Sequence, residues 1–187
     1  MDNISTPFQR IVRERRSVRS FSDRPVEQEK VVICLEAARL APSADNAQPW
    51  RFLVIDDPEV KSRFAKKAFS GIYAVTRFAA KAPVLILVMA KLDVVAHRLA
   101  KQIQGIRFQF LDIGIAGEHI VLQAQELGLG TCWIGWFDTR KTRKYFRIPK
   151  RYKIMSLLAM GYAGEKPVKP LKRKKLDEIA WFNKLDR

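Results

Sequence analysis

The stretch from Asp112 to Phe137, DIGIAGEHIVLQAQELGLG followed by TCWIGWF, constrains the fold more than any other part of this chain. At 3.6 residues per turn, Ile113, Ala116, Gly117, Ile120, Val121, Ala124 and Leu127 fall on one face, the stripe of a buried helix. Ile115 and Leu122 fall on roughly the opposite face. An ordinary surface helix has one wet side, whereas this one is apolar on two. Either it is the central core helix of a monomer, or one face is covered by its own chain and the other by something else. Gly114 and Gly117 allow another backbone to come close, Asp112 suits an N-cap, and Gly128 suits the residue after the helix end. The apolar run after Gly130 then reads as a buried strand, Thr131 to Phe137.

The rest of the chain alternates helical and extended patterns. Short helices are expected over Ile4 to Arg15, Glu27 to Leu40, Glu59 to Ala68 and Thr139 to Phe146, with strands at Phe52 to Ile55, Val84 to Ala90 and Met155 to Tyr162. The second helix stops at Ala41-Pro42, because a residue before proline avoids the α region. A long helical pattern runs from Asp93 to Gly128 with a break near Gly105. Intermingled helices and strands, no repeat and 187 residues imply one domain of α/β or α+β class around a single sheet.

Bulk composition narrows the function. PVLILVMA, Pro83 to Ala90, is the longest strongly apolar run, too short for a membrane span and suited to a central strand. The N-terminus lacks the apolar core of a signal sequence, so a cytoplasmic protein is expected. Cys34 and Cys132 stand far apart with no CxxC and no histidines at ligand spacing, which argues against zinc and disulfides. A net charge of +16 favours anionic partners without choosing between nucleic acid, phosphate-bearing cofactors and membrane surfaces.

Two clusters carry possible chemistry. Arg15, Arg16, Ser17 and Arg19 set three guanidiniums and a hydroxyl at a helix-to-extended boundary, a set that matches phosphate oxygens. Strand alternation puts Ser17 and Arg19 on one side and Val18 on the other. Ser43 to Trp50, SADNAQPW, packs short polar groups before a rigid turn; its Asn and Gln amides can read the edge of a heterocycle. Each has a plainer reading, a solvated basic patch and a capped loop. GxGxxG, P-loop, GxSxG and HExxH patterns are all missing. With only His97 and His119, a histidine-based triad or metal site has little material, and His119 reads as a packed core residue. An enzyme built here would take its chemistry from a cofactor.

RRSVRSF, then EAARLAPSADNAQPWRFLVI, then DIGIAGEHIVLQAQELGLGTCWIGWF and LLAMGYAGEKP, in this order over most of the chain, resemble the nitroreductase family of FMN-dependent flavoproteins. The resemblance implies an α+β fold, with a mixed sheet flanked by helices, in an intertwined homodimer with two FMN at the interface beside long central helices. It implies one domain over 1–187, whose tail from about 163 wraps the core or the partner subunit. By the same resemblance Arg15, Arg16 and Ser17 look like phosphate and ribityl contacts, and Arg19 like the cation near the flavin N1–C2 carbonyl edge. Pro42, Ser43, Asn46 and Gln48 resemble the loop given by the partner subunit, Ile134, Gly135 and Trp136 the strand end whose N–H meets flavin N5, and Arg173 the C-terminal phosphate ligand. No side chain is expected to be a catalytic nucleophile. Three departures stand out: Trp136 where glycine is common, Leu171 where a lysine accompanies Arg173, and no asparagine with a basic residue around Val75 to Phe78. The implied activity is hydride transfer from NADH or NADPH through FMN to a nitroaromatic, quinone or similar small acceptor. Its rivals are a flavin-fragmenting or dehalogenating enzyme of the same fold, and a nucleic-acid-binding protein using Lys169 to Lys175 and the basic DTRKTRKYF, with Tyr145 and Phe146 stacking on bases.

Overall fold

A computed structural model describes residues 6–92, 107–164 and 172–185. Four strands form one antiparallel sheet: β1 (Trp50–Ile55), β2 (Val84–Lys91), β3 (Gly130–Ile134) and β4 (Tyr152–Gly161), in the order β1-β2-β4-β3. The parallel element is a bridge between Ser17 and Thr131, which extends the sheet beyond β3. The α-helices are α1 (Pro7–Glu14), α2 (Gln28–Arg39), α3 (Pro58–Ala68), α4 (Phe108–Glu126) and α5 (Thr139–Tyr145), and a 3-10 segment covers Gly71–Lys81.

β2 explains the layering. All of Val84 to Ala90 is buried, because alternate side chains enter two separate cores. Leu85, Leu87 and Met89 pack with Phe64, Ala68 and Phe69 from the α3 side. Ile86, Val88 and Ala90 pack with Cys34 and Ala38 of α2 and Ile113, Ala116 and Ile120 of α4. Each such aliphatic side chain contributes about 1.5–3 kcal/mol when fully buried. A continuous apolar strand is usual in parallel sheets; here helices on both faces of an antiparallel sheet demand the same pattern. A bulge skips Met155 of β4 between the pairs Val88–Ser156 and Met89–Ile154.

The central helix departs from expectation at its start. α4 begins at Phe108, so Asp112 lies inside it and is not the N-cap. Its Oδ1 instead accepts the Ala44 N–H at 3.1 Å, fastening the 42–48 loop to the helix. Ile113, Ala116, Gly117, Ile120, Val121 and Ala124 are buried as the stripe requires, and Gly128 takes φ +74 after the C-cap. Leu111 and Ile115 remain exposed, as do Val32 and Ile33 of α2 and Leu40 at its C-cap, so one apolar side is uncovered by the described chain. The segment expected to precede the Gly105 break, from Asp93 on, falls outside the described residues.

Gly117 is approached by a side chain and not by a backbone. The far edge of the Trp133 indole of β3 lies over it, where an added Cβ would overlap Cη2 and stand 2.5 Å from Cζ2. Around Gly114 nothing in the chain lies within 4 Å of the same added atom. β3 ends at Ile134, earlier than expected, and Phe137 returns to the core. Tyr145 and Phe146 pack on Phe64 with ring centroids at 6.0 and 5.0 Å, which removes them as base-stacking platforms. Cys34 and Cys132 are buried and free, and His119 Nδ1 lies 3.0 Å from the Ala37 carbonyl, a packing role. Among the described residues no helix is long and apolar enough to cross a membrane, and no group of three metal-ligating side chains occurs.

Candidate functional site

The first part of the site is a basic recess. α1 opens on Thr6, whose Oγ1 accepts the Gln9 N–H, and closes at Arg15, whose N–H donates to the Ile11 carbonyl. Arg16 follows, its guanidinium held by the Arg13 and Arg15 carbonyls. Arg173, from a segment remote in sequence, meets Val12, Arg13, Arg15 and Arg16 around a space of about 290 Å³. Arg15 Nε stands 4.0 Å from Glu118 of α4, which ties the recess to the central helix.

From the recess the chain runs along the sheet. Val18 donates its N–H to the Thr131 carbonyl at 2.9 Å, and Ser22 donates to Tyr162 at 3.0 Å. Gly164 donates to Ser20 at 2.8 Å. Val18 is buried against Gly130, where any side chain would collide with it. Ser17 and Arg19, its neighbours on the alternate side, are not buried. The Arg19 charge is felt at β3: burial pushes the Cys132 thiol up, and Arg19 opposes that rise.

The turn after β3 forms the third part. Ile134 is buried while Gly135 and Trp136 are exposed. Among the described residues the Trp136 peptide N–H has no hydrogen-bond acceptor. The indole lies against the Gly71–Lys81 segment: Nε1 donates to the Ile72 carbonyl at 3.0 Å, and the ring centroid is 5.3 Å from that of Tyr73. In return Thr76 Oγ1 donates to the Trp136 carbonyl at 2.7 Å. Sequence reasoning missed this clamp, because 71–81 follows neither strand alternation nor a long amphipathic helix. Exposed Ile72, Val75 and Arg77 sit in the same segment, which holds no asparagine.

The 42–48 loop is the fourth part. Ser43 Oγ accepts the Gln48 N–H at 2.9 Å, and Gln48 Nε2 donates to Asn46 Oδ1 at 2.9 Å. Asp45, Asn46 and Gln48 have φ of 53, 48 and 43, a left-handed run in which Asp and Asn are tolerated better than Gln. Such strain persists only where surroundings fix it, and Asp112 helps to do so. Pro42, Asn46 and Gln48 are exposed. Among the described residues no hydrogen bond or ion pair joins this loop to the recess or to the Ile134–Trp136 turn. The structure thus brings Arg15, Arg16 and Arg173 together, lines Ser17 and Arg19 along β3, and leaves the loop apart within one chain.

The chain as a whole has known counterparts. The family model described as the nitroreductase family matches residues 12–162. An Archaeoglobus fulgidus protein, provisionally named NADH dehydrogenase/NAD(P)H nitroreductase, is 32% identical over 157 residues, covering 82% of this chain and 83% of that one. A nitroreductase family protein from Clostridium difficile 630 superposes with a TM-score of 0.78 at 33% identity, covering 94% of this chain and 97% of the other. An FMN-dependent nitroreductase from Clostridium difficile R20291 gives 0.73 at 28% identity, with 94% and 98% covered. With the family model matched over residues 12–162 and a relative 32% identical over most of both chains, the chain belongs to the nitroreductase family.

Proposed function

We propose that this protein is an FMN-dependent NAD(P)H oxidoreductase that works as a homodimer and reduces a nitroaromatic, quinone or similar small acceptor. The observation that carries the reading is the meeting of Arg173 with Arg15 and Arg16 around one recess. Fixed cations from two ends of the chain suit a phosphate dianion, since guanidinium forks bond its oxygens in pairs. An exposed, unsatisfied Trp136 N–H at the end of the adjacent strand suits a ring nitrogen acceptor. Bound FMN would supply the chemistry itself, hydride transfer between the nicotinamide and the acceptor.

The chain's own residues bind and orient. Arg15, Arg16, Ser17 and Arg173 hold the phosphate and the start of the ribityl chain. Arg19 would lie by the N1–C2 edge, where its charge would favour the electron-rich reduced ring. The Trp136 N–H would donate to N5, and the Thr76–Trp136–Ile72 clamp fixes that peptide. Pro42, Ser43, Asn46 and Gln48 reach the ring from the partner subunit, which accounts for a loop prepared and strained but unconnected within one chain. The partner covers the exposed faces of α2 and α4, and the apolar tail residues Leu176, Ile179, Trp181 and Phe182 wrap onto it. The test is to purify the protein, identify any released flavin, measure its mass in solution, and follow NADH and NADPH oxidation with a panel of acceptors. Yellow dimer with acceptor-dependent oxidation is expected. Colourless protein that takes up no FMN, or a monomer that binds it tightly, overturns the reading.

A further inference from the structure

A second basic cavity lies between α3 and the Gly71–Lys81 segment and shares no lining residue with the Arg173 recess. It measures about 400 Å³, within the range of small-molecule sites. Lys61, Lys66 and Arg77 line it, over a floor that includes Ala65 and Phe69, with Ser70 at one side. No carboxylate is among the lining residues.

The three cations differ in what they already do. Lys61 Nζ donates to the Ala82 and Pro83 carbonyls at 2.6 and 3.1 Å, and burial holds its pKa below the usual lysine value. Lys66 and Arg77 are exposed and have no carboxylate or carbonyl partner among the described residues. Ser70 Oγ donates to the Lys67 carbonyl and accepts from Lys141 Nζ at 3.1 Å, which adds a fourth cation at the rim. Lys141 is shared with Asp138, 3.4 Å away, the acid that reaches this edge. Elsewhere on α3, Glu59 is paired with Arg63. Like charges gathered over an apolar floor repel one another, and an anion inserted among them relieves that repulsion.

We propose that this cavity binds a phosphorylated small molecule with a compact apolar body, the phosphate between Lys66 and Arg77 and the body on Ala65 and Phe69. An arginine fork can bond two phosphate oxygens in parallel, and the lysine beside it meets the second charge of a phosphate dianion, which a carboxylate lacks. The floor requires more than inorganic phosphate can fill. This site is independent of the cofactor reading, since it draws on none of the same residues.

The test is a titration of the full-length, isotope-labelled protein as purified, with its flavin, using phenyl phosphate as probe and backbone amide shifts as readout. Inorganic phosphate and benzyl alcohol report the two halves of the probe. Saturable shifts in residues 58–81 are expected, with phenyl phosphate binding tighter than either half. The double variant Lys66→Ala/Arg77→Ala should bind about tenfold more weakly or worse, while Lys150→Ala, an exposed lysine elsewhere, should match the parent. Both substituted positions are on the surface, and unchanged circular dichroism certifies the fold. The proposal is overturned by shifts confined to residues 12–19 and 172–175, by shifts that never saturate, by benzyl alcohol binding equally well, or by equal weakening in Lys150→Ala.

Discussion

Gly117→Ala sets two well-known effects against each other. In an open helix interior, alanine is more favourable than glycine by about 0.8–1 kcal/mol. At position 117 the new methyl would stand 2.5 Å from Cζ2 of Trp133 and closer still to Cη2. Carbon atoms settle at about 3.5–4.0 Å, so the indole must retreat by about 1 Å or more. Its outward face is partly free, at 36% exposure, so the ring has room to move at the loss of its contacts with α4. Overpacking of this kind costs about 1–3 kcal/mol, which leaves a net loss of about 1 kcal/mol and a Tm lowered by about 2–4 °C for a chain of this size. The assay is urea unfolding at fixed protein and flavin concentration, in the parent and in a Trp133→Ala background. Without the indole, the same Gly117→Ala should stabilise by about 1 kcal/mol, giving a coupling of about 2 kcal/mol. Equal effects in both backgrounds, or a stabilised single variant, would refute the steric account. Gly114→Ala is the companion: the isolated chain predicts a gain, whereas a partner helix crossing there converts it to a loss that grows on dilution.

Four further outcomes are expected. Arg173→Ala removes one charge-assisted contact to phosphate, about 1.5–3 kcal/mol, so calorimetry should show FMN bound about 10- to 150-fold more weakly; unchanged affinity would detach the recess from the cofactor. Arg19→Ala should lower the flavin midpoint potential measured by dye equilibration, and an unaltered potential would place that guanidinium away from the ring. Trp136→Gly loses the Ile72 hydrogen bond and the Tyr73 contact, for a half-exposed ring worth about 1–3 kcal/mol in unfolding experiments; full stability with improved turnover of bulky acceptors would show that the indole limits the pocket instead. The Tyr162 hydroxyl, the Glu27 backbone N–H, Arg24 and Lys30 hold the Glu27 carboxyl at about 2, down from 4.5. Because the folded value is the lower one, this stabilisation is complete above about pH 4.5 and lost as pH falls towards 2, and Glu27→Gln should flatten stability across that window.

Much of this was legible in sequence because hydrophobic period and proline punctuation act locally. The α4 stripe, the α2 stop before Pro42 and the doubly buried β2 follow from such patterns. The four-part site was named from resemblance, and neither spacing nor periodicity could have joined Arg173 to Arg15, since that meeting depends on how a distant tail returns. Three features were illegible for physical reasons. Asp112 has every property of an N-cap, but the apolar pattern of Phe108 and Phe110 lets the helix start a turn earlier. Gly117 announces a close neighbour without saying whether backbone or indole supplies it. The Gly71–Lys81 segment holds Trp136 through the Thr76 hydroxyl and the Ile72 carbonyl, and a main-chain carbonyl leaves no mark in a sequence.

The complete enclosure of β2 also bears on how the molecule is made. Val84 to Ala90 is seven residues with no charge and no proline, rich in side chains that favour extended structure, the composition that stacks into cross-β fibrils when left open. Its two neighbours in the sheet come from far apart in the chain, β1 well before it and β4 more than sixty residues later. During synthesis the strand therefore emerges long before β4 exists to cover its second edge. Lys81, Pro83 and Lys91 flank it on either side, residues whose charge and missing N–H discourage self-association. Substituting Lys81, which is exposed, with an apolar residue would spare the core of the finished fold while diverting newly made chains into inclusion bodies.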